Sequence, residues 1–139
     1  MPNSPHIELG RRYRFAASHR LHSAKLSEEE NCRIYGKCNN PYGHGHNYTV
    51  EVRFSGEVDP ATGMIANIAD LDAFVSERVI EPFDHRSLQD DVPAFRTIVP
   101  TTENLCSEIF GRLKSFPAAK LEAVRVEETS NNSFEYEGN

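Results

Sequence analysis

Residues 44–58 decide the fold, and they read His44-Gly-His-Asn-Tyr-Thr-Val-Glu-Val-Arg-Phe-Ser-Gly-Glu-Val58. From His46 onward, apolar and polar side chains alternate, which is the pattern of a strand with one buried face. The positions that would face the core are Tyr48, Val50, Val52 and Phe54. The opposite face carries polar side chains, so the stretch predicts a sheet that is covered on one side.

The flanking segments extend this strand into an α+β pattern. Ser27 begins a short helix with a capping box, and Asn67 caps a second helix that Pro82 closes. Residues 83–100 look irregular, and a loop of that length is usually functional. The remaining predicted elements are strands at 12–17, 64–65, 121–128 and 134–136 and a helix capped by Thr101 or Thr102. This order predicts an antiparallel sheet with helices packed on one face.

Length and charge limit the possible functions. A chain of 139 residues fits one domain, and we expect residues 1–10 to form a flexible tail. A net charge of −6 argues against nucleic-acid binding, which needs clustered Lys and Arg. No apolar run approaches the ~18 residues of a membrane span. Three cysteines without a signal peptide predict free thiols in a reducing, cytoplasmic compartment.

The Gly43-His44-Gly45-His46 segment is a candidate metal site. Residues two apart on a strand point the same way, with Cβ atoms roughly 6.5–7 Å apart. Both imidazoles could therefore reach one Zn²⁺ at ~2.0–2.1 Å. His19 is the best candidate for a third ligand, because it continues the inward parity of the first strand, and His22 is its competitor. Three histidines would leave one tetrahedral position open, as in catalytic zinc sites.

Four further side chains are candidates for chemistry, each with a plainer alternative. Cys38 could be a nucleophile, a general base or a zinc ligand, or an incidental loop cysteine. Asp84 and His85 could form an acid–histidine pair, or His85 could simply favour a helix C-terminus. Glu128 shares the parity of buried positions and could accept two parallel N–H donors from an amidine-like ligand edge. The sequence alone favours the plainer alternative, a solvated strand end next to Glu127.

Six motifs in chain order resemble those of the 6-pyruvoyl-tetrahydropterin synthase family. They are Phe15-Ala-Ala-Ser-His-Arg-Leu21, Gly36-Lys-Cys-Asn-Asn-Pro-Tyr-Gly-His-Gly-His-Asn-Tyr48, Asp59-Pro-Ala-Thr-Gly-Met64, Pro82-Phe-Asp-His85, Thr101-Thr-Glu-Asn104 and Glu128-Thr-Ser-Asn-Asn132. The resemblance implies a lyase that converts 7,8-dihydroneopterin triphosphate to 6-pyruvoyl-tetrahydropterin and releases triphosphate, in tetrahydrobiopterin biosynthesis. It also implies the tunnelling fold (T-fold), with two main helices on one face of the sheet. Three sheets would join into a barrel, and two trimers would stack into a homohexamer with interface active sites.

The resemblance also implies roles for individual residues. The Zn²⁺ ligands would be His19, His44 and His46. The catalytic groups would be Cys38 as general base and Asp84 with His85 as proton relay. The pterin would be anchored by Glu128, in a pocket with Thr101, Thr102 and Glu103. The sequence does not identify the basic residues that hold the triphosphate; candidates are Arg20, Lys25 and Lys37.

Two alternatives remain open at the level of sequence. One is the sister activity, 6-carboxytetrahydropterin synthase, whose members usually place the cysteine closer to the first histidine of the His-Gly-His motif. Cys38 precedes His44 by six residues, with Asn39-Asn40-Pro41 between them, which favours the pyruvoyl enzyme. The other is a zinc-binding or pterin-binding module without catalytic activity.

Overall fold

The structure, a computed structural model, describes residues 4–139 and contains one five-stranded sheet. The strands are β1 (His6–His19), β2 (His44–Glu57), β3 (Arg86–Ser87), β4 (Lys120–Thr129) and β5 (Asn132–Tyr136). They lie in the order β3-β1-β2-β4-β5, and every pair is antiparallel except β1 with β3. The predicted α+β class with an antiparallel sheet is thus confirmed.

The α-helices of the described residues are α1 (Glu28–Tyr35), α2 (Ile68–Val75), α3 (Glu81–Phe83), α4 (Leu88–Asp91) and α5 (Thr102–Leu113). Helices α2–α5 contribute side chains to the core on one face of this sheet. The predicted inward positions of β2, from Tyr48 to Phe54, are at most 1% exposed, and they share a core with Leu71 of α2 and Ile109 of α5. Among the helices of residues 4–139, none has the length and apolarity needed to span a membrane.

The end of the second predicted helix differs from expectation. Asn67 caps α2 as predicted, but the helix continues through a π-helical turn (Ser76–Ile80) into α3. Pro82 therefore lies inside the last turn instead of closing the helix. Proline has no N–H to donate to the carbonyl oxygen four residues back. In the π turn the hydrogen bonds run to the carbonyl five residues back, so the regular pattern is already interrupted just before Pro82. The chain leaves the helix at Asp84, whose backbone is extended.

Two further expectations need correction. Residues 1–3 of the predicted tail lie outside the described residues, but His6–Gly10 form the start of β1. Their backbone groups pair with residues 53–57, because β2 is long enough to offer them partners. The predicted strand at Met64–Ile65 is absent from the sheet of the described chain: Gly63, with a φ of 73°, turns the backbone, and Asp59 N donates a single hydrogen bond to Met64 O.

A three-residue polar contact joins strand β1 to α2. The Arg11 guanidinium donates to both oxygens of Asp72, at 2.5 and 2.7 Å, and the Tyr13 hydroxyl donates to Asp72 Oδ1 at 2.7 Å. The hydrogen bond from Arg11, followed by that from Tyr13, lowers the pKa of Asp72. A carboxyl whose pKa is lowered on folding stabilises the fold above its unfolded pKa, and this contribution is lost as the pH falls through the folded pKa.

We therefore expect Asp72→Asn to lower the free energy of unfolding at pH 7 modestly, because Asp72 is partly exposed and solvent screens the pair. The difference from wild type should shrink below about pH 4, near the unfolded carboxyl pKa. Urea denaturation at pH 7 and at pH 3 measures both values. An equal difference at the two pH values would contradict this origin of the effect.

Candidate metal centre and active site

The histidine cluster is built by the register of β1 with β2. His19 lies opposite His44, and Ala17 lies opposite His46, so the last residue of β1 meets the first residues of β2. Gly43 allows this approach: its φ is 80°, and a Cβ atom there would meet His19 O at 3.1 Å. Directly opposed residues of an antiparallel pair share a face, so the three imidazoles converge.

The three rings meet at the Nε2 atom of His46. This atom lies 3.2 Å from His19 Nε2, 3.2 Å from His44 Nδ1 and 3.1 Å from Glu128 Oε1. One nitrogen cannot satisfy three acceptor atoms with a single proton. Ligand atoms of a tetrahedral metal with bonds of ~2.0–2.1 Å are about 3.3 Å apart, close to these distances. The donor set therefore fits a metal ion.

The group of possible metal ligands also includes a thiol and a carboxylate. Atoms of His19, Cys38, His46 and Glu128 all lie within 4.8 Å of one another. His44 falls outside that set but contacts it through His46. His22 lies apart: its Nδ1 is 3.4 Å from Asn39 Nδ2. The structure therefore brings His19, and not His22, to the His44–His46 pair.

His19 is oriented by groups behind it. Its side chain is fully buried, and its Nδ1 lies 3.0 Å from the Pro100 carbonyl oxygen and 3.3 Å from the Tyr48 hydroxyl. Since a carbonyl only accepts, Nδ1–H donates to Pro100, which leaves the Nε2 lone pair facing His46. Such a partner on the second ring nitrogen is typical of metal-binding histidines.

The protonation states of the rings suit metal binding. Burial, followed by the neighbouring His46, lowers the pKa of His19. Burial also lowers the pKa of His46, against the opposing effect of Glu128. Both changes favour the neutral imidazole, which is the form that binds a metal.

Cys38 lies in a 3₁₀ turn (Gly36–Asn39) that is fastened to the segment after His19. Its carbonyl accepts from Leu21 N at 2.6 Å, and the Asn39 side chain donates to Leu21 O at 2.7 Å. The thiol is half-buried, and burial followed by the charge of Glu128 raises its pKa. A bound cation would oppose this effect and favour the thiolate.

Glu128 points into the cluster from a β-bulge near the end of β4. The pairing of β4 with β5 shifts between Glu127 and Thr129, and bulges of this kind redirect a side chain. Thr102 is only 2% exposed, and its hydroxyl donates a hydrogen bond to Glu128 Oε2 at 2.6 Å. The carboxylate therefore has one oxygen fixed by α5 and the other directed at His46.

The two neighbours of Thr102 are placed differently. The Thr101 hydroxyl caps α5 by accepting from Asn104 N at 3.2 Å, and Glu103 is exposed in the first helical turn. Of the three residues assigned to the pterin pocket by resemblance, the structure joins Thr102 to the cluster through Glu128.

The expected Asp84–His85 contact is present and rests on the edge of β1. Asp84 Oδ1 accepts from Ala16 N at 2.9 Å, and Asp84 Oδ2 lies 3.0 Å from His85 Nδ1. His85 N donates to Ala16 O at 2.6 Å, with a φ of 59° that is unusual for a residue with a side chain. The hydrogen bond from Ala16 is the main cause of the lowered pKa of Asp84. His85 and His46 line the same cavity of about 390 Å³.

Sequence reasoning missed two contributors to this site. The Pro100 carbonyl is 81 residues from His19, and no side-chain pattern marks a backbone acceptor at that distance. The strand pattern assigns Tyr48 only to a buried face and gives its hydroxyl no role. The general rule that a buried tyrosine hydroxyl usually has a hydrogen-bond partner is the sequence signal for this contact.

Comparisons with known proteins point to one family. Residues 8–139 match the model of the family described as 6-pyruvoyl tetrahydropterin synthase. The Homo sapiens protein named 6-pyruvoyl tetrahydrobiopterin synthase is 51% identical over 132 residues, which cover 94% of this chain and 91% of that protein. The solved structure of Caenorhabditis elegans 6-pyruvoyl tetrahydropterin synthase superimposes with a TM-score of 0.94 at 45% identity, covering 100% of both chains.

A more distant relative carries the name of the sister activity. The Archaeoglobus fulgidus protein named putative 6-carboxy-5,6,7,8-tetrahydropterin synthase is 38% identical over 88 residues, 63% of this chain and 70% of that protein. The pyruvoyl-type relatives match more of the chain at higher identity. This chain belongs to the 6-pyruvoyl tetrahydropterin synthase family.

Proposed function

We propose that this chain is a zinc-dependent lyase that converts 7,8-dihydroneopterin triphosphate to 6-pyruvoyl-tetrahydropterin and releases triphosphate. The observation that carries the proposal is the convergence of His19, His46, Cys38 and Glu128 within 4.8 Å, with His44 in contact with His46. Family membership supplies the reaction, and the cluster supplies groups that can perform it.

In this proposal His19, His44 and His46 hold the metal. A set of imidazoles next to a thiol favours zinc over Mg²⁺ or Ca²⁺, which prefer oxygen ligands. When bound, zinc would polarise the hydroxyls of the substrate side chain as a Lewis acid. Cys38 and Glu128 lie within the same 4.8 Å group, so both would border the ion.

Glu128 binds the pterin ring in this scheme. A carboxylate accepts two parallel N–H donors from an amidine-like edge, such as that of a pterin. The Thr102 hydroxyl engages Glu128 Oε2, but each carboxylate oxygen has a second lone pair for the ligand. Thr102 is then a positioning residue, since it acts on the substrate through Glu128.

We therefore expect Thr102→Val to weaken binding of a pterin ligand about tenfold or more, because a hydrogen bond to a charged group is worth about 1.5–3 kcal/mol. Thr102→Ser keeps the hydroxyl and serves as the matched control, with near wild-type affinity. Fluorescence titration with a pterin measures both variants, and their zinc content should equal that of wild type. Equal pterin affinity in the valine and serine variants would contradict the positioning role.

Proton transfer is assigned to Cys38 and to the Asp84–His85 pair. Cys38 as thiolate removes a proton from the substrate side chain, and triphosphate leaves by elimination. Asp84 fixes the tautomer of His85 through Oδ2, while the Ala16 N–H holds Oδ1. His85 is exposed beside a cavity that His46 also lines, so it can carry protons to and from that side of the site.

We also propose that the 139 residues form a single domain that assembles into a homohexamer, a dimer of trimers, with active sites at its interfaces. The support is the sheet itself. Within residues 4–139, the outer edge of β1 pairs only with Arg86–Ser87, and β5 is the other sheet edge. Pairing β5 of one copy with β1 of the next is a head-to-tail contact, which closes rings such as a trimer.

Three free cysteines, Cys32, Cys38 and Cys106, are typical of a protein that works in a reducing compartment. On this basis we place the enzyme in the cytoplasm.

The deciding experiment combines metal analysis with product analysis. Purified protein is incubated with 7,8-dihydroneopterin triphosphate, and we expect stoichiometric zinc, released triphosphate and a pyruvoyl pterin. A carboxylated pterin with acetaldehyde would instead assign the sister activity. Metal and pterin binding without triphosphate release would identify a non-catalytic module.

A further inference from the structure

A second cavity, of about 800 Å³, lies beside the metal cluster. It is lined by Arg20, which follows His19 in the chain, and by Pro100. The Pro100 carbonyl contacts Nδ1 of His19, whereas Nε2 of the same ring faces the cluster. The buried imidazole of His19 therefore lies between the proposed zinc site and Pro100, a residue that lines this cavity.

The cavity has an unbalanced positive charge. Arg20, Lys25 and Arg96 line it, and its lining includes no Asp or Glu. Within residues 4–139, none of these three cations takes part in an ion pair, whereas Arg11 and Arg112 are paired with carboxylates. In a chain of net charge −6, three unneutralised cations around one cavity indicate an anionic ligand.

The nearest carboxylates in sequence are engaged elsewhere. Asp90 and Asp91 follow Gln89, which lines the cavity. Asp91 accepts from the backbone N–H of Ser87 and Asp90 accepts from its hydroxyl, both at 2.9 Å. These contacts hold the two carboxylates at the β3–α4 junction.

Arg20 is held in place for binding. Its backbone N–H donates to Gln89 Oε1 at 2.9 Å, and its side-chain Nε donates to Asn39 O at 3.1 Å. The two terminal nitrogens of the guanidinium remain available for a ligand. An arginine held through Nε can still bind a phosphate with both terminal groups.

We propose that this cavity binds a polyphosphate group through Arg20, Lys25 and Arg96. The inference rests on the proposed function in one respect: the polyphosphate is either the triphosphate of the bound substrate or the free triphosphate that the reaction releases. A neighbouring cavity of about 580 Å³ is less suitable, because Glu28 lines it together with Arg20 and Lys37. The cavity thus selects two of the three sequence candidates and adds Arg96.

The test uses the zinc-loaded protein and inorganic triphosphate. Isothermal titration calorimetry measures triphosphate affinity, with zinc content checked afterwards because triphosphate can chelate the metal. Lys25→Ala combined with Arg96→Ala should weaken this affinity roughly tenfold or more at low salt. Lys114→Ala is the control for loss of a cation elsewhere, and each single variant, Lys25→Ala and Arg96→Ala, is compared with it at equal charge. Lys114 is exposed at the C-terminus of α5 and lines none of these cavities.

The steady-state KM for 7,8-dihydroneopterin triphosphate separates the two sources. A raised KM with unchanged affinity for a phosphate-free pterin assigns the cavity to the substrate triphosphate. Weaker triphosphate binding with unchanged KM assigns it to free triphosphate. Triphosphate affinity and KM equal to those of Lys114→Ala would overturn the proposal. If wild type releases no triphosphate but binds it through Lys25 and Arg96, the cavity assignment stands and the proposed reaction fails.

Discussion

His46→Ala is expected to lose its metal and its triphosphate-releasing activity together. His46 Nε2 is the atom at which His19, His44 and Glu128 meet, so its removal takes away the central ligand. A metal acting as Lewis acid contributes several kcal/mol to the transition state, so the activity should fall by about a thousandfold or more. Metal analysis after dialysis and the triphosphate-release rate measure the two effects.

His22→Ala is the matched control for metal binding. His22 lies on the same chain segment as His19 but contacts Asn39 rather than the cluster. Its substitution should leave zinc content at the wild-type value, and circular dichroism should verify that both variants are folded. Unchanged zinc in His46→Ala, or equal zinc loss in His22→Ala, would refute the ligand assignment.

The second large effect is expected for Cys38→Ala, which should lose activity and keep its metal. A positioned general base contributes about 10²–10⁴-fold to a proton transfer, and alanine cannot replace it. The histidine ligands are untouched by this substitution, so zinc content should stay near that of wild type. Cys32→Ala is the matched control, because Cys32 is an exposed cysteine outside the metal-ligand group.

The metal readout separates two roles for Cys38. Its Sγ lies within 4.8 Å of the other potential ligand atoms, so it could also bind the ion directly. Zinc loss in Cys38→Ala that equals the loss in His46→Ala would assign the thiol as a ligand. Full activity in Cys38→Ala would exclude it from catalysis altogether.

The strands that carry the clustered histidines could be predicted because strand side chains alternate. The parity of β1 put His19 on the buried face with Phe15 and Ala17, and the structure places it there. The prediction that His44 and His46 point to the same face needed only the two-residue alternation of strand side chains. The same parity allowed an inward Glu128, but the sequence alone favoured a solvated strand end, because the bulge that directs the side chain inward is not predicted by parity.

The parts that escaped prediction depend on backbone groups and on irregular turns. The Asp84–His85 pair is held by both backbone groups of Ala16. The positive φ of His85 could not be predicted, because histidine is not a residue type that signals this backbone conformation. The Met64–Ile65 strand failed because, after the turn at Gly63, Met64 accepts a backbone hydrogen bond from Asp59 without adding a strand to the sheet. The cationic cavity combines Arg20 and Lys25 with Arg96, which lies far along the chain from both.

The pairing of His19 with His44 at the end of the β1–β2 ladder has a consequence for folding fidelity. A slip of one residue between these strands would turn His19 to the opposite face and scatter the three rings. A ligand that binds only the correctly aligned state stabilises that state by mass action. A metal ion bound during folding would therefore add to the stability of the correct alignment of β1 with β2, beside the apolar core that already favours it.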